Sequence, residues 1–148
     1  MNSGKVILLV EDNASDRDLT RRALAKSQIR NELVVAEDGE AALEYLQGEG
    51  IPAGGEAGEL PALALLDLNL PKISGLEVLR RIREDARTRR LPVVILSSSR
   101  EEQDIGASYD LGANSYIRKP VDYKQFAQSV EHLGLYWLLL NEQPPQVR

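Results

Sequence analysis

The sequence predicts a three-layer α/β domain built on a parallel sheet. Two observations carry this prediction: five short apolar runs recur along the 148 residues, and an amphipathic segment follows each of them. Continuous apolar runs of strand length are typical of strands that are covered on both faces. Strands that alternate with helices imply parallel pairing through right-handed crossovers. This periodicity does not give the order of the strands in the sheet.

The five predicted strands are short, and the last has the weakest pattern. They span residues 6–10, 33–36, 62–66, 93–96 and 115–117. The first four consist of aliphatic residues alone. The fifth contains a serine and a tyrosine, so its assignment depends on its place in the alternating pattern.

The predicted helices have recognisable start and stop signals. Side chains that accept hydrogen bonds from N–H groups commonly begin a helix, and glycine commonly follows its end. The starts are Asn13, Asp38, Ser74 and Asp122 (with Gln125 as its return partner), and the stop after the fourth helix is Gly112. We expect the first helix over residues 14–26 and the fourth over about 101–111.

Two stretches depart from this alternation. Residues 48–61 are rich in glycine, proline, alanine and glutamate, which predicts a long loop before the third strand. Residues 133–140 are apolar around all sides of a short segment, and residues 141–148 contain two prolines. The apolar segment is either a buried last turn of the final helix or a contact between two copies of the chain. We favour the contact, because one core cannot easily cover every side of so short a segment.

Composition excludes several classes of protein. The absence of cysteine excludes a disulfide framework and a thiolate metal site. The net charge of −5 gives no basic footprint for nucleic acid, and acidic residues are interspersed with the arginines of residues 80–90, which favours a solvated helix face. The chain shows no signal peptide, and no apolar run approaches the roughly 20 residues of a membrane span. We expect a cytoplasmic protein with neither a nucleic-acid nor a membrane partner.

Polar residues follow four of the five predicted strands. They are Glu11 and Asp12 after the first, Asp67 and Asn69 after the third, Ser97 after the fourth, and Lys119 and Pro120 after the fifth. In sheets of this class, ligands bind beyond the carboxyl ends of the strands. A single aspartate at such a place is usually a helix cap. Four strand ends that each offer a suitable group indicate a site.

The residue types at these strand ends suit phosphoryl chemistry. Three carboxylates can supply oxygen ligands to a hard divalent cation such as Mg²⁺, which also relieves their mutual repulsion. Asp67 could attack phosphorus and form an acyl phosphate. Lys119 could neutralise the phosphoryl oxygens, and Ser97 could donate a hydrogen bond to one of them.

Four motifs in this order resemble the receiver domain of two-component response regulators. They are residues 10–13 (VEDN), 66–71 (LDLNLP) with Gly75, 94–97 (VILS) and 116–120 (YIRKP). The resemblance spans residues 4–135 approximately. We therefore predict a single receiver domain over residues 1–148, with its core in that range and an extended C-terminal helix and tail over residues 133–148 approximately.

The resemblance implies a fold and a set of residue functions. The fold is the flavodoxin-like (CheY-like) five-stranded parallel sheet with strand order 2-1-3-4-5 and helices on both faces. Asp67 matches the phosphoacceptor. The metal ligands are Glu11, Asp12, Asp67 and the backbone carbonyl of Asn69, with Asp12 binding directly and Glu11 largely through water. Mg²⁺ is the implied cofactor, and Mn²⁺ or Ca²⁺ can substitute.

The remaining implied functions concern the conformational switch and the lifetime of the acyl phosphate. The phosphate-binding and switch residues are Ser97, Tyr116 and Lys119. A cis bond before Pro120 aims the lysine inward, and Asn69 and Ser99 set the lifetime of the acyl phosphate. The chain is then not an enzyme in its own right but a phosphoacceptor that assists its own phosphorylation and dephosphorylation.

The chain departs from the commonest receiver pattern. Glu11 replaces the frequent aspartate and Ser97 the frequent threonine, and both keep the functional group. The insertion at 48–61 and the apolar end at 133–140 resemble the single-domain regulators of bacterial phytochrome histidine kinases. This implies a sensor histidine kinase, of the bacteriophytochrome type, as partner in a light pathway. It also implies a homodimer through the last strand and helices, and the expected dimer contacts are Leu135, Tyr136, Trp137 and Leu138.

Two alternatives compete with this function. A phosphatase of the haloacid-dehalogenase type places its nucleophile after the first strand with a second aspartate two residues later. Here Asp67 follows the third predicted strand and Asn69 stands at that second position. A degenerate receiver that binds partners without phosphorylation is the other alternative, and the complete set of site residues argues against it.

Overall fold

The computed structural model describes residues 5–26, 31–47, 60–98, 101–119, 123–134, 136–137, 142 and 144–145. Within them, strands and helices alternate five times. The elements are β1 (Lys5–Val10), α1 (Ala14–Lys26), β2 (Asn31–Ala36), α2 (Gly39–Leu46), β3 (Leu63–Asp67), α3 (Gly75–Glu84), β4 (Val93–Ser97), α4 (Glu102–Asp110), β5 (Ser115–Arg118) and α5 (Tyr123–Gly134). Each predicted strand is therefore present, with ends that differ from the prediction by one or two residues.

The five strands form one parallel sheet in the order β2-β1-β3-β4-β5. Leu9 of β1 lies between Val35 and Leu65, and Val94 of β4 lies between Leu65 and Ser115. The predicted fold class and strand order are confirmed. The order reverses direction between β1 and β3, which is where sheets of this class bind ligands.

Hydrophobic side chains fill both faces of the sheet. Neighbouring residues of a strand point to opposite faces, so Ile7 joins the cluster under α1 and α5 while Leu8 joins the cluster under α2 and α3. Every residue of β3 and β4 is buried. Burial on both faces explains why these strands have continuous apolar sequences, since each buried aliphatic side chain contributes about 1.5–3 kcal/mol.

Three predicted helix starts are confirmed by hydrogen bonds. In each case the cap side chain accepts a hydrogen bond from the N–H three residues later. The pairs are Asp16 to Asn13 (2.9 Å), Ala41 to Asp38 (2.8 Å) and Glu77 to Ser74 (3.2 Å). Gly112 follows α4 with a φ of 99°, which confirms the predicted stop. Asp122 lies outside the described residues.

The arginine-rich stretch is more than a solvated face. Arg80 and Arg81 lie on the solvated side of α3, as predicted, and there they pair with Glu77. Arg83 instead turns inward and donates hydrogen bonds to backbone carbonyls, and Arg87 donates to the carbonyl of Leu46 at the end of α2. Part of the positive charge therefore ties α2, α3 and their neighbours together.

The two unusual stretches are described in part. Most of the predicted loop, residues 48–59, lies outside the described residues, while Pro61 is buried. At the C-terminal end, Trp137 packs against the α1 and α5 side of the core and Tyr136 is 49% exposed. Leu135 and Leu138 lie outside the described residues. In the part of the chain that the structure describes, none of the helices combines the length and the apolar character that crossing a bilayer would need.

Candidate functional site

The carboxyl ends of four strands bring together the polar residues singled out in the sequence. Glu11 follows β1, and its N–H donates to the carbonyl of Ala36, so its backbone continues the sheet beyond the strand. Asp67 is the last residue of β3 and Ser97 the last of β4. Lys119 follows β5, and its N–H donates to the Ser97 carbonyl at 2.7 Å. Backbone hydrogen bonds of the sheet therefore fix where these side chains start.

Three carboxylates form what we term the acidic cluster: Glu11, Asp12 and Asp67. Each offers an oxygen atom, and these oxygens all lie within 4.8 Å of one another. Glu11 and Asp67 are buried at 2% and 6% exposure, whereas Asp12 is exposed. Oxygen ligands with one open side are what a hard divalent cation needs, since it keeps several waters. The residues present therefore fit a divalent cation.

The charges of the site perturb one another. Burial raises the pKa of Glu11 to about 7, against the hydrogen bond from Lys119, which lowers it. Burial also works to lower the pKa of Lys119, but its hydrogen bonds to Glu11 and Asp16 outweigh this effect and raise it. Lys119 therefore keeps its positive charge beside three carboxylates, where it offsets part of their repulsion.

Lys119 is held by two acidic side chains. Its side chain is 12% exposed, and its Nζ donates to Glu11 Oε1 at 2.6 Å and to Asp16 Oδ2 at 2.9 Å. Its distance to Asp67 Oδ2 is 3.8 Å. The contact with Asp16 was not predicted from the sequence. The only available signal was that Asp16 stands on the first turn after the acidic pair, at the same edge of the predicted sheet.

The loop between β3 and α3 approaches Asp67 closely. The N–H of Asn69 lies 3.4 Å from Asp67 Oδ1, and the Asn69 side chain is exposed. The N–H of Gly75 donates to the Leu68 carbonyl at 2.9 Å. A Cβ atom at Gly75 would lie 2.2 Å from the Asp67 carbonyl oxygen, so only glycine allows this approach. Lys72 in the same loop has a φ of 67° and pairs with Asp38.

The remaining predicted residues are placed in part. Ser97 is fully buried at the end of β4, and Tyr116 is half-buried against the α2 and α3 side of the core. Ser99 and Pro120 lie outside the described residues, as does the predicted cis bond. Arg17, which was not predicted to lie near the site, donates to the Glu11 carbonyl at 3.1 Å and supports the turn after β1.

The amino-acid sequence of this chain is similar to those of known proteins. The family model for the response regulator receiver domain matches residues 7–131. Response regulator Rcp1 from Synechocystis sp. is 42% identical over 137 residues, which are 93% of this chain and 91% of Rcp1. The predicted resemblance to receiver domains is therefore confirmed, and the haloacid-dehalogenase alternative is not favoured.

Solved structures agree with this match. The phosphorylated cyanobacterial phytochrome response regulator RcpA has a TM-score of 0.87 at 44% identity, covering 97% of this chain and all of RcpA (100%). The Mn²⁺-bound form of response regulator Rcp1 has a TM-score of 0.85 at 40% identity, covering 95% of this chain and 99% of Rcp1. This chain is homologous to these phytochrome response regulators, and it belongs to the response regulator receiver domain family.

Proposed function

We propose that this chain accepts a phosphoryl group on Asp67 from a sensor histidine kinase and signals through the resulting change of its surface. The observation that carries this proposal is the position of Asp67. It is buried at 6% exposure, it shares the acidic cluster with Glu11 and Asp12, and Lys119 lies 3.8 Å from it. A carboxylate nucleophile with both a cation site and an ammonium group beside it suits phosphoryl transfer.

The proposed reaction is a displacement at phosphorus. A carboxylate oxygen of Asp67 forms a bond to phosphorus while the phosphorus–nitrogen bond of the phosphohistidine breaks. The electron pair of that bond returns to the imidazole nitrogen of the kinase. Lys119 is close enough to contact the phosphoryl oxygens after a small movement, and Ser97 at the end of β4 would donate a hydrogen bond to one of them.

We propose Mg²⁺ as the resident cation, with Mn²⁺ or Ca²⁺ as substitutes. The carboxylates of Glu11, Asp12 and Asp67 and the backbone carbonyl of Asn69 would hold it. When bound, the cation supplies positive charge that offsets the carboxylates and the transferred phosphoryl oxygens. The all-oxygen donor set supports this assignment, and so does the Mn²⁺-bound form of the relative Rcp1.

The proposed switch uses residues around Asp67. Contacts from Ser97 and Lys119 to the phosphoryl group would draw both inward, and Tyr116 would follow, which shifts an existing equilibrium and changes the surface near α4 and α5. Asn69 and Ser99 would set how fast water hydrolyses the acyl phosphate, so the chain assists its own dephosphorylation. A cis bond before Pro120 would aim Lys119 at Asp67.

We propose a kinase of the bacteriophytochrome type as the partner, and a single receiver domain over residues 1–148 that acts in the cytoplasm. The relative RcpA, a phytochrome response regulator at 44% identity, supports the kinase class. We further propose a homodimer through β5, the neighbouring helices and residues 135–138. The 49% exposure of Tyr136 beside Trp137 supports a contact there.

Acetyl phosphate tests the phosphoacceptor directly. The protein is incubated with acetyl phosphate and Mg²⁺, and intact mass is measured for the wild type, for Asp67→Asn, and for Asp110→Asn, which removes an exposed carboxylate at the end of α4. We expect one phosphate on the wild type and on the Asp110 variant, and none on the Asp67 variant. No gain on the wild type, or an equal gain on the Asp67 variant, would contradict the proposal. Turnover of small phosphate esters would favour an enzyme instead.

Light scattering tests the dimer. We expect a dimer at high protein concentration and a monomer for Tyr136→Lys, because a buried charge in the contact is costly. Glu44→Lys on α2 is the control, since it changes charge on another helix. A wild type that stays monomeric with and without beryllofluoride, a phosphoryl mimic, would show that the dimer assignment is wrong.

A further inference from the structure

Lys119 is restrained by two acidic side chains other than Asp67. An ammonium group has three N–H donors. Glu11 Oε1 at 2.6 Å and Asp16 Oδ2 at 2.9 Å take two of them, while Asp67 Oδ2 at 3.8 Å lies beyond hydrogen-bond range. In this state the lysine is therefore bound more closely to its two neighbours than to the proposed phosphoacceptor.

The two acidic partners of Lys119 differ in environment. Glu11 belongs to the acidic cluster and has a side chain that is 3% exposed. Asp16 is not a member of that cluster, and its side chain is 33% exposed. Water can therefore solvate the Asp16 carboxylate when the lysine leaves it, which makes this contact the easier of the two to break.

The first turn of α1 fixes where Asp16 stands. Its N–H donates to Asn13 Oδ1 at 2.9 Å, and the hydroxyl of Thr20 donates to its carbonyl at 2.9 Å. The N-terminal end of a helix also favours a negative side chain. The backbone of Asp16 is thus held in place, and its carboxylate reaches Lys119 across 103 residues of sequence.

Resting on the phosphorylation of Asp67 proposed above, we propose that Asp16 is a positioning residue that competes with the phosphoryl group for Lys119. In the phosphate-free state it keeps the ammonium group on the α1 side of the site. When a phosphoryl group stands on Asp67, Lys119 moves from Asp16 to the phosphoryl oxygens. The free energy of the Lys119–Asp16 contact is therefore subtracted from the stability of the phosphorylated form.

Binding of beryllofluoride in the presence of Mg²⁺ tests this competition. The affinity is measured by calorimetry for the wild type and for Asp16→Asn, which removes the charge and keeps the shape. We expect Asp16→Asn to bind beryllofluoride about two- to five-fold more tightly, the size expected for losing a competing, partly exposed ion pair. Asp16→Ala is a second charge-removing variant that suits a helical position, in case Asp16→Asn does not fold.

Two further variants distinguish competition for Lys119 from the general effect of removing a negative charge from α1. Asp18→Asn removes the same charge from the same helix, where Asp18 pairs with Arg22 at 3.0 Å instead of Lys119. Asp16→Glu retains a carboxylate at the position. We expect the Asp18 variant to change the affinity less than Asp16→Asn, and Asp16→Glu to restore a value near that of the wild type.

The outcomes distinguish this inference from the function on which it rests. If the wild type binds beryllofluoride but Asp16→Asn binds no more tightly than Asp18→Asn, the competition is overturned and the phosphoacceptor proposal stands. Weaker binding by Asp16→Asn would overturn it too, because Asp16 would then aid the phosphoryl contact. If the wild type neither binds beryllofluoride nor gains a phosphate from acetyl phosphate, both proposals fail together.

Discussion

At the scale of single residues, the site depends on a residue without a side chain as well as on charged residues. The acidic cluster needs the backbone of the β3–α3 loop to pass directly over Asp67. Gly75 permits this, because the space that a Cβ would need is taken by the Asp67 carbonyl oxygen and by Leu68 Cα, at 2.2 and 2.6 Å. The glycine therefore shapes the site without contributing a functional group.

Substituting Gly75 by alanine should displace the Asp67 backbone. We expect a loss of about 1–3 kcal/mol in the free energy of unfolding, because overpacking against backbone cannot be relieved by a side-chain rotation. Mn²⁺ affinity should fall as well, since Asp67 belongs to the acidic cluster. Urea unfolding and calorimetric titration measure the two effects.

The control for this substitution is Gly106→Ala on α4. A Cβ there meets nothing within 4 Å, and the residue lies inside the helix. Alanine should therefore stabilise the chain by about 0.5–1 kcal/mol through helix propensity. Equal effects of the two substitutions would mean that the close approach at Gly75 has no energetic consequence.

At the scale of elements, a helix cap can also hold a neighbouring loop in place. Asp38 caps α2 by accepting a hydrogen bond from Ala41, and it pairs with Lys72 of the β3–α3 loop at 3.5 Å. Its pKa is lowered below the ordinary 3.8, first by the hydrogen bond from the Ala41 N–H and further by Lys72. One side chain thus joins the start of α2 to the loop beside Asp67.

This shift predicts the pH dependence of the Asp38→Asn variant. A carboxylate whose pKa is lowered by folding stabilises the folded state at any pH above its pKa in the unfolded chain. This stabilisation is lost as the pH falls through the pKa of the group in the folded chain. Asparagine also caps helices, so stability at pH 7 should change little, while the decline of stability below 3.8 should become shallower. Urea unfolding between about pH 5 and pH 3 measures this. Glu40→Gln, which removes a carboxylate from the first turn of the same helix and leaves its cap intact, is the control.

Arg83 joins three elements at the opposite end of the molecule. Its guanidinium group donates to the carbonyls of Gly112 and Leu91 and to Asn114 Oδ1, at 2.6 to 2.9 Å. Burial lowers its pKa. The end of α3 is thereby tied to Leu91, two residues before β4, and to the turn before β5.

Arg83→Lys should therefore be a damaging substitution. Lysine lacks the planar fork, so buried carbonyls lose partners, and we expect a loss of about 1–3 kcal/mol in the free energy of unfolding. Arg81→Lys, at an exposed surface pair with Glu77, is the control and should change stability little. Chemical unfolding of both variants measures the two effects. Equal losses of unfolding free energy would contradict the proposal that the hydrogen bonds of Arg83 stabilise the fold.

At the scale of the whole molecule, metal binding and stability are linked. The acidic cluster joins the ends of β1 and β3, which lie next to each other in the middle of the sheet. A cation held there binds the folded chain and not the unfolded one. It therefore stabilises the entire fold by mass action.

The linkage gives a prediction for thermal unfolding. With Mg²⁺ or Mn²⁺ at about one hundred times its Kd, the free energy of unfolding should rise by about 2.7 kcal/mol. For a domain of this size the midpoint should rise by roughly 5–10 °C relative to EDTA. Asp12→Asn should lose most of this rise, whereas Asp18→Asn should keep it. A midpoint that does not respond to either cation in the wild type would contradict the metal site.

The sequence by itself determined the elements and the chemistry of the strand ends. Caps such as Asn13 and Ser74 were predictable because a cap bonds an N–H only three residues away, so that both partners fall in one short window. The buried strands were predictable because a strand covered on both faces must be apolar throughout. Placing Asp67 and Lys119 at one edge required only that the strands be parallel.

The tertiary structure decided which of these side chains touch. The contacts of Lys119 with Asp16 and of Arg83 with Gly112 join residues 103 and 29 positions apart, and one sequence carries no local signal for either. The close approach at Gly75 depends on how the β3–α3 loop folds over Asp67, which no helical or strand periodicity encodes. Local hydrogen bonds and burial can be predicted from the pattern of neighbouring residues. Contacts between side chains that are distant in sequence depend on how the whole chain packs.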